Sequence, residues 1–198
     1  MTIPHYYPAR HRPEFLAAHE SGHAVGYVVL GIPLEYVTIV GHGLMPLAHT
    51  QPVNLSQATR RQQELINTSG VLAGLRINYW RVTPLGVMEL LIASVDGQFE
   101  VRGMRSRQTS RMDRANLVDA PADLAIVVER FGNRLDAAEE VGSFWQGCEK
   151  FVDSVATAVV SVSAQLLQAG EVDGDQVEQL VHQAMTGKTP CIPSWVGE

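Results

Sequence analysis

His19-Glu20-Ser21-Gly22-His23 is an H-E-x-x-H motif bracketed by residues that start and stop a helix. Pro13 suits a first helical position, and Gly31 followed by Pro33 suits a helix end. Residues four apart on a helix stand one above the other, with Cβ atoms roughly 5–6 Å apart. Two imidazoles at that separation can converge on one zinc ion at about 2.0–2.1 Å. Glu20 follows the first histidine, so it can flank a metal-activated water rather than bind the metal. Zinc lowers the pKa of such a water from about 15.7 to about 7, and a carboxylate beside it can take the proton during attack on a carbonyl. The spacing therefore points to one Zn2+ per chain and to hydrolysis, with His19 and His23 as ligands and Glu20 as the base.

Phe15, His19, Gly22, His23, Gly26 and Leu30 fall on one helical face, at steps of i, i+4 and i+7. Two histidines on a face otherwise apolar or small need partners there, because a buried imidazole left unbonded is costly. A metal is one such partner. Backbone carbonyls of a packed core are the other.

The rest of the composition narrows the class. A chain of 198 residues with 45% hydrophobic content suits one soluble domain, and a net charge of −6 argues against a nucleic-acid partner. Cys148 and Cys191 are the only cysteines, which indicates neither a disulfide framework nor a thiolate zinc site. Residues 1–12 lack the apolar core of a signal peptide. The apolar runs Ala24–Leu34 and Val155–Leu167 fall short of the roughly 20 residues a membrane span needs. The expectation is a cytoplasmic chain with no membrane partner.

Along the chain, Leu34–Val40 is rich in β-branched and aromatic residues and reads as a strand. Gly41-His42-Gly43 and Pro46 mark a loop after it. That strand is either an edge on which an extended peptide could lie or a plain structural strand. Ser56 can cap a second helix running to about Trp80, with Leu65, Ile66, Leu72 and Leu75 in the core. Pro84–Ser94 suggests a short helix. Arg102–Arg114 holds five arginines and reads as a solvated surface loop, with docking of an acidic partner as the alternative. Pro121 opens a helix through Phe131, stopped by Gly132-Asn133. A helical region runs from about Asp136 to Ala169, with a break expected near Gly142 or Gly147, and Asp173-Gly174-Asp175-Gln176 caps a last helix reaching Met185. The organisation is a tail over 1–12, one domain over 13–185 with an insertion at about 82–118, and a tail over 186–198. Gly187-Lys188-Thr189 is no P-loop: the required first glycine would stand at His182.

A catalytic zinc takes three protein ligands, so the motif leaves one to find. A metzincin extension would put a histidine at position 29, which is Val29, while a gluzincin arrangement would use a later glutamate, for which Glu64 is the candidate. The segment Phe15-Leu-Ala-Ala-His-Glu-Ser-Gly-His-Ala-Val25 resembles the peptidase domain of the FtsH-type ATP-dependent zinc peptidases. The strand at Glu35–Val40 continues the likeness in order. So do Gln63-Glu64-Leu65 through Val71-Leu72-Ala73-Gly74-Leu75-Arg76, and the closing Gly170–Val177 segment. The resemblance implies a mainly α, zincin-like metallopeptidase domain with a small β element. It also implies an aspartate as third ligand, in an A-x-x-D-[LI] context that Ala120-Pro121-Ala122-Asp123-Leu124 matches. Asp113, in Met112-Asp113-Arg114-Ala115, offers a second register, and Asp119 a further one. An acid in a first helical turn is also favoured by the macrodipole alone, so Asp123 has a structural reading too.

The family's ATPase module has no counterpart in this sequence. The expected substrates are therefore peptides or unfolded polypeptides, and a folded target would call on a separate ATPase or adaptor. Two other readings stay open: a zinc-binding interaction module without turnover, and a regulatory protease that cleaves one partner docked on Arg102–Arg114. No residue pattern sets the oligomeric state.

Overall fold

Phe15 to Tyr27 are buried without interruption, so helix α1 (Pro13–Val29) is the central element and not an amphipathic surface helix. The single apolar face expected from its sequence is only part of what it buries. The computed structural model describes residues 13–40, 48–77, 120–131 and 138–197, and among these the chain is mainly helical with one small sheet. α1 ends in a Schellman turn: Ile32 N–H bonds Tyr27 O at 2.9 Å and Gly31 N–H bonds Val28 O at 3.0 Å. Gly31 supplies the left-handed residue, φ +72°, that this turn requires.

Strand β1 (Leu34–Thr38) follows at once, then β2 (His49–Pro52) after the Gly41–Leu47 stretch, which lies outside the described residues. β1 pairs antiparallel with β2 on one side and with β3 (Glu171–Asp173) on the other. This corrects the idea of β1 as a docking edge, because both of its edges are already paired. A bulge at Glu35, between the Leu34↔Pro52 and Tyr36↔Gln51 pairs, turns the strand as it leaves the helix.

Helix α2 (Arg60–Ile77) lies directly on α1. Asn54, not Ser56, caps the 3-10 turn before it, accepting the Ser56 N–H at 3.0 Å, while the Thr59 hydroxyl accepts the Gln62 N–H at 3.2 Å. The two helices approach closely because small residues line the seam. A Cβ at Gly22 would come within 2.5 Å of Ser69 O and 2.8 Å of Gly70 Cα. Helices α3 (Ala120–Phe131), α4 (Ala138–Ser154), α5 (Ala156–Ala169) and α6 (Gly174–Ala184) complete the assembly, α3 and α4 packing on α2, and α5 and α6 on α1.

The break between α4 and α5 falls at Val155, not at Gly142 or Gly147, with a bend of 66°. Ser154 explains the position. Its hydroxyl donates to Phe151 O at 2.7 Å and accepts the Cys191 N–H at 2.9 Å, pulling the helix end aside. Gly147 is instead a contact point: a Cβ there would sit 3.1 Å from the Trp195 indole nitrogen. The segment expected as a C-terminal tail packs on the core, with Val196 buried and the Trp195 ring 4.9 Å from that of Phe144. Asp173 caps α6 as anticipated, accepting the Gln176 N–H at 2.8 Å. Gly187-Lys188-Thr189 follows this helix rather than a strand, which agrees with the absence of a P-loop. No single helix among the described residues is long and apolar enough to cross a membrane.

Candidate metal centre

One helical turn of α1 places His19 and His23 with their Nε2 atoms 3.1 Å apart. Asp123, in the first turn of α3, brings Oδ2 to 2.9 Å from His19 Nε2 and 3.6 Å from His23 Nε2. Ligands at about 2.0–2.1 Å from a tetrahedral zinc stand roughly 3.3–3.4 Å from one another, so the three observed separations bracket the required edge. Among the described residues this is the group of histidine, cysteine and acidic side chains that could hold a metal ion.

The orientation of His23 makes the fit stronger. Its Nδ1 lies 3.0 Å from Ile66 O in α2, and a carbonyl can only accept. Nδ1 therefore keeps its proton, and when the ring is neutral it is the Nε2 lone pair that faces Asp123 and His19. Outer contacts of this kind fix the tautomer and raise the basicity of a ligating histidine. Gly70 leaves the space the ring occupies, since a Cβ there would lie 2.3 Å from His23 Nε2.

Electrostatics favour a cation in the same place. Burial by itself would lower the His23 pKa, but the charge and hydrogen bond of Asp123, the charge of Glu20 and the Ile66 carbonyl outweigh it and raise the value to about 9. Burial pushes Asp123 the other way, yet the two histidines hold its carboxyl well below the usual carboxylate range. The α3 N-terminus adds to this by favouring an anion in the first turn. Tyr27, one turn beyond His23, is shifted up by burial and by the negative charges of Asp123 and Glu20, which keeps its phenol neutral. Asp123 is the carboxylate of the cluster, and Glu20 lies near enough for its charge to act on His23.

Glu20 is buried on the sheet side of α1 and is held by a residue the sequence gave no reason to choose. Thr50 Oγ1, on β2, donates to Glu20 Oε2 at 2.8 Å and lies 3.1 Å from Glu20 O. His-Thr-Gln-Pro carries almost no strand signal, and a threonine offers no metal-binding cue, so neither β2 nor Thr50 was legible.

Of the rival third ligands, the described residues place one. Glu64 is outside the cluster: its Oε2 accepts from Arg130 Nη1 at 2.8 Å and from Arg61 Nη1 at 3.1 Å. It carries the right chemistry for a ligand, but α2 turns it toward α3's far end. Asp113 and Asp119 lie outside the described residues, as do Pro84–Ser94, the Arg102–Arg114 segment and the Gly132-Asn133 stop. Burial drives the Cys148 thiol far up, so it supplies no thiolate at neutral pH. No family model matches this chain, and no curated protein matches it.

Proposed function

We propose that this chain is a zinc metallopeptidase domain of zincin type, similar in its motif helix and third ligand to the FtsH-type peptidases. One observation carries the reading: two histidines one turn apart and a distant aspartate converge at metal-ligand spacing, with an unliganded glutamate next in sequence. Two histidines and a carboxylate also suit iron(II) oxygen chemistry. Glu20, buried and aimed by Thr50, favours hydrolysis, because it adds a proton acceptor that oxygen chemistry at such a site does not call for.

His19 Nε2, His23 Nε2 and Asp123 Oδ2 would hold the ion, and the chemistry zinc supplies when bound is Lewis-acid activation of water and of a substrate carbonyl. The chain's own residues do the rest. Glu20 takes the proton of the attacking water and passes it to the leaving amine. Thr50 holds Glu20 Oε2 so that this transfer starts from a fixed geometry. His23 stays in the tautomer that Ile66 O dictates. Substrates are flexible or unfolded polypeptides, and folded ones would require a separate ATPase or adaptor.

Metal analysis tests the premise. Dialysed wild type should retain one zinc per chain, and His23→Ala and Asp123→Ala should lose it. At zinc about 100-fold above its Kd, the wild type should gain about 2.7 kcal/mol of stability that the variants do not. Full zinc occupancy in His23→Ala would refute the assignment.

A further inference from the structure

The buried pair Glu64–Arg130 lies outside the metal cluster yet shares its helix. Asp123, Val127 and Arg130 follow one another at i, i+4 and i+7 on α3. Seven residues return to the same face within about 20°, displaced by about 10.5 Å along the axis. At one end of that face Asp123 meets the histidines of α1; at the other Arg130 meets Glu64 of α2; Val127 is buried between them.

Glu64 is 1% exposed; its Oε1 has no hydrogen-bond partner among the described residues but pairs with Arg60 Nε at 3.9 Å, while Arg61 and Arg130 bond Oε2. Arg130 is fixed on its other side, its guanidinium stacked 4.7 Å from the Phe131 ring centre, 5.5 Å from Phe144 and 5.8 Å from Trp195. A buried ion pair is a weak source of stability, and apolar side chains of similar size often do as well. What such a pair supplies that apolar contacts do not is direction. Fixing the azimuth of Arg130 fixes the rotation of α3, and a slip of one residue, about 100°, would swing Asp123 away from the histidines. The same stretch of α2 also orients His23, through Ile66 O two residues beyond Glu64.

We infer that Glu64 and Arg130 are positioning residues for the metal site, a clasp that sets the register of α3 so that Asp123 reaches the ion. The inference rests on the metal assignment proposed above. It recasts Glu64 as a residue that acts on the site through Arg130 and α3, without touching the metal.

The test compares zinc affinity, by competition with a chromophoric chelator, and the visible spectrum of the cobalt(II)-loaded chain. The variants are Glu64→Gln/Arg130→Met, Asp123→Ala and the triple combination. The double variant removes the two buried charges together, and the partners it leaves, Arg60, Arg61 and Glu140, are solvent-accessible, so it should fold with a Tm near wild type. Its zinc affinity should nevertheless fall by about 10–100-fold, the range seen for outer-shell partners, and its cobalt spectrum should move toward that of Asp123→Ala. The triple variant should bind no more weakly than Asp123→Ala alone, because the clasp acts only through that ligand. If the double variant fails to fold, Glu64→Leu, which removes the acceptor on α2 while Arg130 keeps Glu140, carries the same expectations. A lowered Tm with wild-type zinc affinity and cobalt spectrum would overturn the clasp, as would losses that add fully in the triple variant. Wild type that binds no zinc, or Asp123→Ala that binds as wild type, would instead overturn the ligand assignment and the clasp with it.

Discussion

Thr50 Oγ1 stands 2.8 Å from Glu20 Oε2, joining an outer strand of the sheet to the acid of the H-E-x-x-H motif. The bond crosses from β2 to α1 and gives a buried carboxylate a fixed donor. Thr50→Val keeps the shape and removes the donor. We expect zinc content unchanged and peptide hydrolysis slowed about tenfold or more at saturating substrate, since a base that wanders loses alignment. Steady-state kinetics on a fluorogenic peptide would check it. Wild-type turnover in Thr50→Val would show that the bond has no part in orienting Glu20.

How much of this was readable in advance divides by physical range. The ends of α1 and the cap of α6 are local: Gly31 must adopt a left-handed turn, and Asp173 bonds an amide three residues on, so both were legible. That Asp123 meets His19 and His23 was suggested in the sequence only by a resemblance, because nothing local distinguishes an acid that reaches two histidines from one placed to suit a helix N-terminus. Glu64 shows the converse error. Its residue type fits a ligand, and only the position of Arg130 on another helix reveals its actual partners. The α4–α5 bend was misplaced because glycine is the usual local suspect, whereas the cause is Ser154 bonding both Phe151 and the Cys191 amide. Trp195 reads as part of a tail because the groups its ring packs against, Phe144 and Gly147, lie far away in sequence.

The metal-free chain should show a pH dependence whose sign follows from the His23–Asp123 pair. His23 sits at about 9 when folded against an ordinary 6.5, so the folded chain holds this proton more tightly than the unfolded one. Its contribution is complete below about pH 6.5, declines between 6.5 and 9, and is gone above, a loss on the order of 3 kcal/mol. Asp123, depressed from 3.8, contributes above that value and loses its contribution as the pH falls below it. Urea midpoints of the chelator-treated chain should thus fall from pH 6 to pH 9. Flat midpoints across that range would contradict the pairing.

The α1–α2 seam yields a pair of contrasting substitutions. Gly22→Ala drives a methyl into Ser69 O, part of the backbone, and should cost about 1–3 kcal/mol in chemical denaturation. Gly70→Ala meets the His23 ring instead, so its main effect should be weaker zinc binding. Equal stability and equal zinc affinity in both variants would mean that the helices can part at no cost.

The proposed hydrolysis is best checked by casein cleavage with the zinc-loaded chain, wild type beside Glu20→Gln. Wild type should cleave casein in a reaction that a chelator stops, and Glu20→Gln at full zinc occupancy should not. Zinc-replete wild type that leaves casein intact, or Glu20→Gln that cleaves it equally well, would contradict it.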